Sequence, residues 1–189
     1  MPTESSATPL RVEVYRGVAG LNIVRDVRYL VLRKPLGMSF EATLFSGDEL
    51  PSTRHVVAFW DQEAVACLSL LVPESEPWNT AGLAIAREPN STPERVPTNP
   101  QEHLRLLQST RLVQLRGMAV LASWQGKGCG GRLLERVYGW AQEENWELWC
   151  NARLAAVPFY SKYGWVTEGD SFDIPNIGAH YVMRWRVAV

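Results

Sequence analysis

Residues Val113–Ala152, read as VQLRGMAVL, ASWQGKGCGG, RLLERVYGWAQEEN and WELWCNA in turn, decide the fold. Val113 to Leu121 has the apolar character of a strand, broken at Gly117, and glycine inside a strand marks a bulge or a close approach to the backbone. Gly128 to Glu144 reads as a helix. Leu133, Leu134, Val137, Trp140 and Ala141 recur at its period on one face, and Arg132, Glu135, Arg136, Gln142 and Glu143 face outward. Glu147 to Ala152 reads as a second strand. Strand, helix and strand in this length predict a right-handed crossover between parallel strands.

Upstream, Arg11 to Tyr15 alternates polar and apolar residues as a short strand. Leu21 to Leu32 carries Leu21, Val24, Val27, Leu30 and Val31 at helical spacing, and Pro35 with Gly37 ends it. Phe40 to Phe45 is expected to form a shorter helix. Val56–Trp60 and Ala64–Val72 predict a hairpin around Asp61-Gln62-Glu63. Downstream, Ala155 to Tyr163 predicts a short helix with Gly164 as a left-handed cap. Trp165–Thr167 and His180–Arg186 predict two strands joined by a turn-rich stretch around Pro175, Asn176 and Gly178. The fold class is therefore α/β (an α+β mixture): a mixed sheet with helices on its faces.

The chain has 189 residues, enough for one core. The expected organisation is a disordered tail over residues 1–10 and one domain over 11–189, with a Pro-rich loop insertion at 73–103. Six of the twelve prolines fall between Pro73 and Pro100, in a segment read as a surface insertion or as a lid. Nineteen Lys and Arg balance twenty Asp and Glu, for a net charge of −1, which argues against broad nucleic-acid binding. No run of about 18 apolar residues suits a membrane span. Cys67, Cys129 and Cys150 fit no zinc spacing, and neither do His55, His103 and His180, so no metal site is expected. Three cysteines that cannot all pair, and a start (MPTESSATPL) with neither a basic leader nor an apolar core, suggest a cytoplasmic protein.

Chemistry concentrates in Gln125-Gly126-Lys127-Gly128-Cys129-Gly130-Gly131, which leaves a strand and opens a helix. The first amides of a helix have no partner within it, and glycine clears side chains from their approach. Each such contact contributes roughly 0.3–2 kcal/mol, so several amides together with Lys127 are needed. The expected ligand is a phosphate or pyrophosphate. Gly126, Gly128 and Gly131 also satisfy the dinucleotide fingerprint G-x-G-x-x-G, although the next strand ends Cys150-Asn151-Ala152-Arg153 without the acid that holds a ribose. Arg153 keeps an NADP-dependent oxidoreductase open as an alternative.

The same loop resembles the Q/R-x-x-G-x-G/A acyl-CoA signature of the GNAT N-acetyltransferases. Asn151–Gly164 (NARLAAVPFYSKYG) followed by Trp165 is similar to that family's second motif, where a helix carries a Phe-Tyr pair ahead of a glycine. FDIPNIGAHYVMRW and RYLVLRKPLG are more weakly similar to the small bacterial ElaA-like branch.

The resemblance implies an acyl-CoA N-acyltransferase fold, with a mostly antiparallel sheet containing one splayed parallel pair. It implies acetyl-CoA as co-substrate, no metal, and an amine acceptor, and many members of the family are homodimers. It places the pantetheine arm beside Met118, Ala119 and Val120 and the pyrophosphate on Gln125, Gly126, Lys127, Gly128, Cys129, Gly130 and Gly131. Asn151 would bond the arm, and Tyr160 would serve the leaving thiolate by hydrogen bonding. Direct attack needs a neutral amine, and an alkylamine near pKa 10.4 is deprotonated at pH 7 at a cost of about 4.6 kcal/mol. Many relatives meet this with a carboxylate on the fourth strand. Here the polar positions of that strand are Gln114 and Arg116, so the base is left open among Glu168, Asp170 and His180 through water. The missing carboxylate also admits a non-catalytic acyl-CoA-binding module. Arg28, Arg33, Glu41, Asp173 and His180 are the candidates for lining the acceptor pocket.

Overall fold

The computed structural model describes residues 10–73 and 111–187. The expectations for the N-terminal tail, the Pro-rich segment beyond Pro73 and His103 lie outside the described residues.

Strand β1 (Arg11–Arg16) pairs antiparallel with β2 (Arg54–Trp60), and β2 forms the expected hairpin with β3 (Glu63–Leu71). Asp61 makes the hairpin turn with φ 53°. Between β1 and β2 lies α1 (Leu21–Arg28), which buries Leu21, Val24 and Val27 against the sheet and continues as a wide π-type turn, Tyr29–Arg33. Pro35 and the left-handed Gly37 (φ 67°) end it. The short helix expected over Phe40–Phe45 is a single 3₁₀ turn, Phe40–Thr43. It is pinned by side chains rather than by an amphipathic face, with Arg25 Nε donating to Thr43 Oγ1 (3.0 Å).

The predicted crossover is β4 (Arg111–Val120), α2 (Cys129–Glu143) and β5 (Trp146–Arg153), with β4 and β5 parallel. After it come α3 (Val157–Lys162), β6 (Val166–Ile174) and β7 (Gly178–Trp185). β6 is much longer than Trp165–Thr167 suggested. It is an edge strand with mostly exposed residues, so no apolar alternation announces it, and it pairs with β7 across a bulge between Glu168 and Phe172.

The seven strands run in the order β1-β2-β3-β4-β5-β7-β6. Among the described residues only β4 and β5 are parallel, unlike the mostly parallel, doubly wound sheet of a dinucleotide fold. Two apolar clusters separate the faces. On one side α2 and α3 cover Val56, Leu68, Leu70, Val113, Leu115, Leu148 and Cys150. On the other, α1 covers Val57, Phe59, Cys67 and Ala119.

Candidate active site

The parallel pair separates after four residues. Arg111–Gln114 match Trp146–Trp149, after which, among the described residues, β5 pairs only with β7, and β4 only with β3. The cause is local. Gly117 and Met118 stand against Leu68 alone, because the register jumps from Cys67↔Ala119 to Ser69↔Arg116. Gly117 takes φ 59°, a conformation that favours glycine, and the bulge bends β4 away from β5.

Beneath the bulge runs Arg28, fully buried and paired with the equally buried Asp48 at 2.5 Å. Arg28 Nη2 also donates to Ser69 Oγ (2.6 Å), and Nη1 to the Thr43 carbonyl (3.1 Å). His55 completes the network. Its Nε2 meets the Asp48 carbonyl (3.0 Å), which can only accept, so that nitrogen carries the proton and Nδ1 accepts from Ser69 Oγ (2.6 Å). Arg28 is therefore committed to the interior and does not line an acceptor pocket. Exposed Glu41 has its carboxyl held low by its own backbone amide and Ser39.

The wedge between β4 and β5 is a cleft of about 530 Å³. Met118, Ala119 and Val120 form its β4 wall, and Arg153 the end of its β5 wall. Trp124, Gln125, Gly126, Gly128, Cys129, Gly130 and Gly131 form one end, and Ala155, Ala156, Phe159, Tyr160, Lys162 and Tyr163 cover a flank, with Val31 reaching in from beyond α1. No carboxylate lines it among the described residues.

The loop is shaped for an anion. Gly126 (φ 74°) and Gly128 (φ 83°) need glycine for their backbone, and open space lies where their Cβ atoms would be. Gly128 is the N-cap of α2, with no side-chain cap and no acid in the first turn. The helix ladder begins with Arg132 N to Gly128 O (3.0 Å), leaving the amides of Cys129, Gly130 and Gly131 without helical partners. Gly130 and Gly131 serve packing instead: a Cβ on Gly131 would overlap the Tyr163 hydroxyl, and one on Gly130 would press on Phe159 at 3.0 Å. Gln125 folds back, Nε2 donating to the Val120 carbonyl (3.1 Å). Lys127 does not line the cleft; its Nζ lies 4.8 Å from the centre of the Trp124 ring.

Tyr160 is 6% exposed, and its hydroxyl donates to Met118 Sδ (3.4 Å), bridging α3 and β4 across the wedge. Burial pushes the phenol well above its ordinary pKa, with Cys150 adding to the effect. It stays neutral and acts as a donor. The Cys129 thiol is raised by burial, so it is a poor nucleophile at neutral pH. Asn151 lies outside the cleft lining, yet its Oδ1 is buried without a hydrogen-bond partner.

Arg33, Asp173 and His180 gather at the β5 end. His180 is the register partner of Arg153 and stacks on Phe172 (5.9 Å). Its Nδ1 meets the Gly178 carbonyl (2.7 Å), so the neutral ring keeps its lone pair on Nε2. Sequence reading missed Trp124, Phe159 and Tyr163 as lining residues, although Phe159 belongs to the same Phe-Tyr pair that marked Tyr160.

The comparisons agree with this geometry. Residues 103–186 match the family described as the acetyltransferase (GNAT) domain. A protein of Bacillus subtilis (strain 168) described as the uncharacterized N-acetyltransferase YitI is 27% identical over 159 residues, 84% of this chain and 86% of that protein. Escherichia coli ElaA shares the fold with a TM-score of 0.65 at 13% identity, over 93% of this chain and 99% of that one. A GNAT family acetyltransferase from Elizabethkingia anophelis, solved with acetyl-CoA bound, gives 0.54 at 16% identity, over 93% and 98%. Residues 103–186 carry the signature of a GNAT acetyltransferase domain. The chain is an acyltransferase.

Proposed function

We propose that this chain transfers the acetyl group of acetyl-CoA to a primary amine by direct attack. The observation that carries the reading is the wedge itself: two parallel strands that part after four pairs and open onto an uncapped, glycine-lined helix start. The β4 edge at Met118, Ala119 and Val120, which lies beyond the last pair with β5, suits the amides of a pantetheine arm, which adds to the sheet as a partial strand. The first-turn amides of α2 and the Gln125–Gly131 loop suit its diphosphate. The buried, unpartnered Asn151 Oδ1 is an acceptor in want of an N–H donor, which an arm amide supplies. The Elizabethkingia relative binds acetyl-CoA on the same fold, which supports that carrier here.

In the reaction the amine nitrogen attacks the thioester carbonyl, the new C–N bond forms and the C–S bond breaks. The amine gives up one proton to solvent, and the thiolate leaves. Tyr160 hydrogen-bonds the developing sulfur charge. Since a thiol near pKa 8.5 is more acidic than any phenol, and burial weakens this phenol further, stabilisation rather than full proton transfer is its role. With no carboxylate on the cleft wall, proton removal falls to water or to the neutral His180 ring.

Thiol release from acetyl-CoA with a panel of amines tests the reading. Turnover supports the enzyme, whereas CoA binding without turnover on any amine would make the chain a binding module.

A further inference from the structure

The wedge has a second cationic place, on the face covered by α1. Arg33, 8% exposed, donates from Nε to the Ala42 carbonyl (2.8 Å) and from Nη1 to the Leu32 carbonyl (3.4 Å). Arg153 donates from Nη2 to the same Leu32 carbonyl at 3.0 Å. Two guanidiniums thus converge on one peptide oxygen. Neither makes an ion pair among the described residues. Arg153 Nε and Nη1 make no hydrogen bond there either, while the side chain forms cleft wall together with Met118 and Tyr160.

Crowding two like charges at a half-dry site without a counter-ion costs free energy, and an anionic ligand recovers it. The strain shows in the groups themselves. Burial, then Arg153 and Arg28, bring Arg33 down to about 10, and burial lowers Arg153 as well, yet both remain cations at neutral pH. The glycine loop lies with α2 on the opposite face of the sheet, so these arginines stand across the wedge from the amides assigned to the diphosphate. A planar guanidinium fork binds a carboxylate through two parallel N–H···O bonds, a geometry that a carboxamide cannot reproduce.

We propose that the acceptor amine carries a carboxylate, and that Arg153, backed by Arg33, binds it on the α1 face of the wedge. The inference rests on acetyl transfer as the reaction and narrows it to amino-acid-like acceptors.

The test is thiol release at saturating acetyl-CoA with alanine, phenylalanine and glutamate, each against its α-carboxamide, and with phosphoethanolamine. The carboxylates are expected to exceed their carboxamides in kcat/KM by about 10- to 100-fold, the range of one or two charge-assisted hydrogen bonds. Arg153→Gln collapses that ratio towards one, and Arg153→Lys, which keeps the charge but loses the fork, restores part of it. Carboxamides that serve as well as acids in the wild-type protein overturn the proposal whether or not the variants fold. So does a preference for phosphoethanolamine, or an Arg153→Gln protein that keeps the ratio but raises KM for acetyl-CoA, which would assign the arginine to the carrier. Failure of CoA to stabilise the protein against heat is a separate result and overturns the acetyl-transfer reading itself.

Discussion

A Cβ placed on Gly117 would overlap the Arg28 guanidinium, coming within 2.8 Å of its Cζ. The bend that opens the wedge and the buried cation of α1 therefore occupy adjoining space. Arg28, Asp48, Ser69 and His55 form the floor on which the bulge rests, so site geometry and core stability are coupled at one glycine.

Gly117→Ala is expected to destabilise the fold by about 2–4 kcal/mol, from the left-handed backbone and the overlap together. Asp48→Asn, which leaves Arg28 buried without its counter-charge, is expected to cost about 3–5 kcal/mol. Urea unfolding measures both. An Asp48→Asn protein as stable as wild type would show that the pair does not hold the floor.

Within α2, two glycines should respond with opposite signs. Gly131→Ala would drive a Cβ into the Tyr163 hydroxyl and is expected to cost about 1–3 kcal/mol. Gly139 has open space where its Cβ would go, and Gly139→Ala should stabilise by about 0.5–1 kcal/mol through helix propensity. Thermal unfolding of the two single variants reads the difference.

Tyr160→Phe keeps the ring packed between Phe159 (5.3 Å) and Trp165 (5.2 Å) and removes only the hydroxyl. Turnover should fall about 100-fold while KM for acetyl-CoA changes little, the pattern of a donor used in the transition state. Unchanged kcat would return Tyr160 to a purely structural role.

Stability should fall as the solution is acidified below neutrality. His55 and His180 both have pKa values lowered in the fold, chiefly by burial, against an unfolded value near 6.5. For His55, Arg28 adds to the lowering and Asp48 opposes it; for His180, Arg153 and Arg33 add to it, while Asp173 and the Gly178 carbonyl oppose it. The unfolded chain then binds more protons than the native one between the lowered values and 6.5. The neutral rings' contribution is fully present above 6.5 and is lost as pH falls through that window. Tm at pH 7.5 and 5.5 tests this, and His180→Asn should flatten part of the dependence.

The crossover, the glycine loop and the Tyr160 helix were legible because each is written in consecutive residues: a run of apolar residues, a helical period, a cluster of glycines. What long-range packing creates was not. The convergence of Arg33 and Arg153 joins the turn after α1 to the end of β5, and nothing local to either arginine announces it. Arg28 looked like a pocket residue because its counter-charge, Asp48, reaches it only in the folded chain. The place of the Lys127 ammonium over Trp124 was equally hidden, since the two side chains meet only once the loop has folded. The length of β6 was hidden because an exposed edge strand needs no apolar alternation.

The central claim, that the wedge and the helix start hold the carrier, is tested most directly by titrating the ¹⁵N-labelled protein with CoA and following its amide resonances. The largest shifts are expected at Gly126, Gly128, Cys129, Gly130 and Gly131 and along Met118–Val120, with no comparable response to NADPH. Resonances of the loop and of β4 that stay still while CoA binds at another surface would contradict the account.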